Sequence, residues 1–194
     1  PYHGFGGAMP AGFTRVAWDL RYPAPEPTSL ETKDIDPWDR LPFGPLAAPG
    51  RYTVTLAKHV GGVVTPLGAS QAFEAVPLGT ASLPPADRKA LLAFEEKTAR
   101  LQRAVLGAVR AADEAQTSID HLKKALADAP AADAKLAAEL SAIESRLKDV
   151  QVELNGNSTV ASRNEPTPPS IVDRVQTIVS GGWEATSAPT ATQR

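Results

Sequence analysis

The run LLAFEEKTARLQRAVLGAVRAADEAQTSIDHLKKAL, from Leu91 to Leu126, decides the architecture. With Leu91 as a heptad a position, the a series is Leu91, Thr98, Val105, Ala112, Ile119 and Leu126. The d series is Phe94, Leu101, Ala108, Ala115 and Leu122. Every member but Thr98 is apolar. That spacing, held over five heptads, predicts one long amphipathic helix with a coiled-coil seam. At about 1.5 Å per residue it spans roughly 65 Å. Pro84 and Pro85 suit its first turn, Ser82 is the expected cap, and Asp128-Ala129-Pro130 stops it.

A second helix follows at once, with Leu136, Leu140, Ile143, Leu147, Val150 and Leu154 alternating four and three residues apart, and Asn155-Gly156 ending it. So short a connection turns the two antiparallel, a helical hairpin. Ala108, Ala112 and Ala115 are small enough to let the helices approach closely. Residues 155–169 read as a polar, proline-rich linker. Ser170 then caps a short amphipathic helix bearing Ile171, Val172, Val175, Ile178 and Val179, closed by Gly181-Gly182. Thr190 is placed to cap a further turn.

Upstream the composition changes. Of the 18 prolines and 14 glycines, 11 and 10 lie in residues 1–80, with most of the aromatics. Prolines and glycines punctuate short strands and loops, whereas the 33 alanines favour the helices. The organisation expected is a strand-bearing portion over 1–80, a helical hairpin over 81–154, and a linker, short helix and tail over 155–194. Val16, Trp18, Leu20 and Tyr22 alternate with Ala17, Asp19 and Arg21, the period of a half-buried strand. Arg51 to Leu56 repeats the pattern, with Tyr52, Val54 and Leu56 inward, after a Pro49-Gly50 turn. Gly61-Gly62 predicts a tight reversal into Val63-Val64-Thr65, and Gln71 to Val76 forms the last extended run. Residues 23–48 form a long polar loop whose Trp38 and Phe43 are expected to fold back onto the sheet. The fold class is α+β: a small, incomplete antiparallel β-sandwich with a core of Trp18, Tyr22, Tyr52, Leu56 and Phe73, then the hairpin and a short third helix.

Several chemistries are excluded by composition. A net charge of −2 gives no basic excess to hold a polyanion. Without cysteine there is no disulfide framework, thiol nucleophile or thiolate zinc site. No stretch reaches the ~20 apolar residues of a membrane span, and no signal-peptide pattern opens the sequence.

Candidate sites are sparse. His3, His59 and His121 share no metal-ligand spacing and read as surface residues. Gly4-Phe5-Gly6-Gly7 lacks the strand, lysine and helix of a phosphate loop. Asp34, Asp36 and Asp39 are the weak metal candidates, an acidic cluster without the turn glycine and distal glutamate of an EF-hand. Glu95-Glu96, Asp113-Glu114 and Lys123-Lys124 read as a solvated, mixed-charge face. Asn157-Ser158-Thr159 matches a glycosylation sequon, and no Gly-x-Ser-x-Gly elbow marks a serine nucleophile. No catalytic residue and no cofactor are assigned.

The segment from Gly12 to Pro23, GFTRVAWDLRYP, resembles the Gly-x-x-Arg-x-x-Trp-Asp-Leu-Arg-Tyr-Pro strand of large bacterial BNR-repeat or sortilin-like β-propeller "glycosyl hydrolase" proteins. Pro49-Gly50-Arg51-Tyr52-Thr53-Val54 resembles a Pro-Gly-x-Tyr-x-Val strand of the same C-terminal region, a pattern also seen in flagellar hook-capping immunoglobulin-like domains. There, too, a helical hairpin follows. The resemblance implies an exported, non-catalytic C-terminal accessory region that packs on an upstream β-propeller or presents another protein chain. No family catalytic residue has a matching position here, and the propeller and the first sandwich strands are missing from this stretch. Two other readings remain: an interaction or homo-oligomerisation module built on the hairpin, and a share of a glycoside hydrolase or peptidase site completed upstream. No nucleic acid and no membrane insertion are expected among its partners.

Overall fold

The computed structural model describes residues 12–29, 36, 38, 42–79, 87–129 and 133–193. It mixes helix and sheet. Four strands come first, β1 (Gly50–Val54), β2 (Ala57–Val60), β3 (Val63–Pro66) and β4 (Gln71–Ala75). Four helices follow, α1 (Arg88–Asp128), α2 (Ala134–Asn155), α3 (Ser158–Ala161) and α4 (Ile171–Gly182).

The strands form two small antiparallel sheets, β1 with β4 and β2 with β3. Tyr52 lies opposite Phe73, and His59 opposite Val64. Gly61 and Gly62 turn β2 into β3 with φ of 58° and 80°. Two consecutive positive φ values are what a right-twisted two-residue reversal demands, and glycine adopts them without a Cβ penalty. The Leu67 N–H donates to the Leu56 carbonyl at 2.8 Å, so the two pairs succeed each other along one ribbon.

The strand expected over Val16–Tyr22 does not form. Asp19 accepts from the Arg21 N–H at 3.0 Å, the Trp18 indole N–H donates to the Arg21 carbonyl at 2.8 Å, and Leu20 takes φ 61°. Local side-chain bonds outcompete a ladder, a habit of Asp near turns. One isolated bridge, Arg21 to Leu46, forms in this stretch. The expected sheet core is also thinner. Trp18, Tyr52 and Phe73 do cluster, with ring centroids 5.5–6.1 Å apart, but Leu56 is exposed.

The helices hold the buried core. Asp87, not Ser82, caps α1, its carboxylate accepting from the Lys89 and Ala90 N–H groups; Ser82, Pro84 and Pro85 lie outside the described residues. α1 ends at Asp128 and α2 at Asn155 with Gly156 as its cap, both where the sequence places them. Lys123 pairs with Glu144 at 3.0 Å, bringing the end of α1 beside the middle of α2. α4 packs against both α1 and α2. Its capping box is complete: Ser170 accepts from the Asp173 N–H while Asp173 accepts from the Ser170 N–H. The linker holds one unforeseen element, α3, capped by the Asn157 side chain.

The heptad expectation holds for one of its two rows. Thr98, Val105, Ala112 and Ile119 of the a series are buried, while Leu101 and Leu122 of the d series stay 46% and 55% exposed. Beside the buried a row lie the buried Glu95 and the half-buried Gln102, on the side of α1 where α4 packs.

Candidate functional site

A long-range junction forms where the N-terminal segment meets α1 and the end of α4. The Tyr22 N–H donates to the Pro45 carbonyl (2.9 Å), the Gly44 N–H to the Tyr22 carbonyl (3.1 Å) and the Ala47 N–H to the Leu20 carbonyl (2.7 Å). Two irregular segments thus satisfy each other's backbone groups while Pro45 is fully buried between them. Gly44 is obligatory here: a Cβ would lie 2.5 Å from the carbonyl oxygens of Tyr22 and Pro23.

Arg21 locks this junction to the helices. Its guanidinium donates to the Gly44 carbonyl (3.3 Å) and the Trp183 carbonyl (3.0 Å) and lies 4.4 Å from the centre of the Phe43 ring. Both bonds leave one guanidinium nitrogen, Nη1, while the planar group lies over an aromatic face, a combination that lysine does not reproduce. Trp183, only 5% exposed, completes the core with Val105, Val175 and Val179, and Phe43 packs on that core. Phe43 was expected on the sheet; it reaches the helices because the bridge at Leu46 aims the chain at α4. Trp38 folds back onto nothing described and is 93% exposed. Farther along α1, Arg110 donates to the Thr28 carbonyl (2.7 Å), holding residues 27–28 to the helix.

At the centre of the junction stands Glu95, 5% exposed. This corrects the solvated face expected for Glu95-Glu96. Burial pushes its carboxyl up to about 7, against a smaller opposing attraction from Arg21. Its carboxylate makes no hydrogen bond or ion pair with a described residue. Nearby, Tyr52 donates its hydroxyl to the Ala48 carbonyl at 2.6 Å and accepts from Tyr22. Burial first, then that bond, hold the Tyr22 hydroxyl well above the usual phenol range.

Two cavities meet at Glu95. A small one of about 90 Å³ lies between α1 and the chain after α4, lined by Phe94, Thr98, Trp183 and Gln193 among others. The larger, about 390 Å³, runs between the strand-bearing half and α1, walled by Leu20, Leu46, Val76, Leu78, Leu91 and Leu92. Arg88 also lines it.

The residues singled out from sequence fall elsewhere. Asp36 is exposed and accepts from the Trp38 N–H at 3.1 Å; Asp34 and Asp39 lie outside the described residues. Among the described residues no group of three or more His, Asp or Glu is placed to hold a metal ion. His59 is exposed on β2 and His121 on α1, while His3 and Gly4–Gly7 lie outside the described residues. Asn157 of the sequon spends its side chain on the α3 cap. Glu95 escaped notice because its neighbour Glu96 is also acidic. The missed signal was spacing: Leu91, Glu95, Thr98 and Gln102 step by four, three and four, the rhythm of a buried stripe.

Comparison of the chain with family models, with curated proteins and with solved structures returned no match. Among the described residues no helix is long and apolar enough to cross a membrane.

Proposed function

We propose that the chain is a non-catalytic accessory region, a partial β-sandwich joined to an antiparallel helical hairpin, that packs against a β-propeller. One observation carries this reading. Val54, Leu56, Val60, Val63, Val64 and Val76 each expose more than half of their surface along the ribbon. An isolated ribbon of two strands is marginal in water, and a run of exposed valines is a surface made to be covered. The Trp18-Asp19-Leu20-Arg21 turn favours the same role, because it ties the ribbon side of the molecule to the helices through Arg21 and Trp183.

The test is amide exchange of residues 50–76 in the chain alone and mixed with a BNR-type propeller domain. Protection of Lys58–Thr65 on mixing is the expected result; unchanged exchange sinks the reading. Turnover of sialosides, aryl glycosides or peptides at enzyme-like rates by the chain alone would sink it equally.

A second reading, a self-association module, draws on the other uncovered face. Leu101 and Leu122 on α1 and Leu136, Ile143 and Val150 on α2 remain about half exposed. A strict monomer in light scattering, without binding of an apolar dye, removes it.

A further inference from the structure

The larger cavity beside Glu95 has the composition of a ligand site. Its volume, about 390 Å³, falls within the range of small-molecule pockets, and its walls are mostly aliphatic. One ionisable side chain with little solvent exposure stands in that lining. Glu95 is 5% exposed, lines both cavities, and gives its carboxylate no hydrogen bond or ion pair among the described residues. Buried carboxylates are ordinarily paired, and leaving one unpaired costs free energy that a complementary ligand recovers.

The surrounding charges define the complement. Arg21, the nearest cation, is engaged by two carbonyls and the Phe43 ring, so it attracts Glu95 without bonding it. Tyr22 faces the same region with its hydroxyl committed to Tyr52, and Glu96 adds a second negative charge felt there. Arg88, seven residues back on the same helix face, lies about 10 Å along the axis. No lining residue after α4 is titratable: that side contributes Ala185 and Thr186 to the larger cavity. The groove therefore has an acidic end, an aliphatic length and a distant cation.

We propose that this groove binds a small amphiphilic primary amine, its ammonium seated on Glu95 and its alkyl body along Leu46, Val76, Leu91 and Leu92. A charge-assisted bond to a desolvated carboxylate supplies specificity, and the aliphatic walls supply affinity. The proposal is independent of what covers the ribbon.

The experiment uses the whole chain and two probes of equal length, n-hexylammonium and 1-hexanol, followed by NMR of carbon-labelled glutamate. At pH 8 hexylammonium should bind at least tenfold more tightly than hexanol. Its binding should weaken as pH falls through about 7, where Glu95 takes up its proton. Saturation with hexylammonium should move the Glu95 titration to lower pH. Glu95→Gln should abolish the preference for the amine while still binding hexanol, which shows that the variant is folded. Ala75→Phe, filling the groove from its wall, should remove both probes. Equal binding of the two probes by the native chain overturns the proposal, as does amine binding that survives Glu95→Gln or Ala75→Phe.

Discussion

Glu95 shows how a single side chain takes its chemistry from its surroundings. In the unfolded chain its carboxyl titrates near 4.5, and in the folded protein near 7. Below about pH 4.5 it is protonated in both states and costs nothing. Between 4.5 and 7 the unfolded chain releases the proton while the folded one retains it, so stability falls as pH rises and levels off above 7. Glu95→Gln should therefore match the native chain in stability near pH 4 and exceed it at pH 8, by on the order of 1–3 kcal/mol. Denaturant melts at the two pH values check this, and an unchanged difference between them contradicts it. Gly44 makes the opposite demand, for space. Gly44→Ala should destabilise by about 1–3 kcal/mol, since both clashing atoms are backbone carbonyls that cannot rotate away. The loss should appear in thermal melts, and in faster exchange of the Tyr22 amide.

Among the elements, α4 is short yet central. Its twelve residues place Val175, Val179 and then Trp183 on Val105 of α1, and its first turn is held by the Ser170–Asp173 box. The Ser170 hydroxyl and backbone N–H bind the Asp173 carboxylate and hold it below the usual range. Ser170→Ala should cost about 1 kcal/mol, the ordinary worth of such a cap. Helicity near 222 nm should fall slightly and the melting midpoint by a few degrees. This helix was legible in the sequence to the residue, because a cap and an apolar stripe are both local signals. The strand at Val16–Tyr22 was not. Alternation of apolar residues cannot show that Asp19 and Trp18 will bond the backbone of Arg21, since that depends on geometry rather than pattern. The d row of α1 failed for a different reason. Spacing says which residues share a face; how wide a face gets covered is decided by the elements that lie on it.

Across the whole molecule, stability is unevenly distributed. Apart from Pro25 and Pro45, the buried apolar residues lie on the helices or at the Trp183 cap, while the ribbon is open to water along most of its length. Amide exchange should therefore fall into two classes: α1 from about Thr98 to Ile119 slowest, and Lys58–Thr65 close to unprotected in the chain alone. Uniform protection across both halves would contradict this distribution. Among the described residues, Arg21 reaches from the N-terminal segment to the cap of α4 and Arg110 reaches from α1 back to Thr28, each across more than eighty residues. Neither was visible as a link beforehand, and the Asp34–Asp39 cluster that drew attention instead places only Asp36 among the described residues.

By itself the sequence determined the three longer helices, the C-terminal ends of α1 and α2, both ends of α4 and the Gly61-Gly62 reversal, since each follows from periodicity, capping or backbone freedom within a few residues. Tertiary structure alone decided that Trp18-Asp19-Leu20-Arg21 is a turn, that Phe43 joins the helical core, and that Glu95 is buried beside a cavity. Those outcomes depend on which surfaces meet, and desolvation acts on a carboxyl only once distant segments have closed over it.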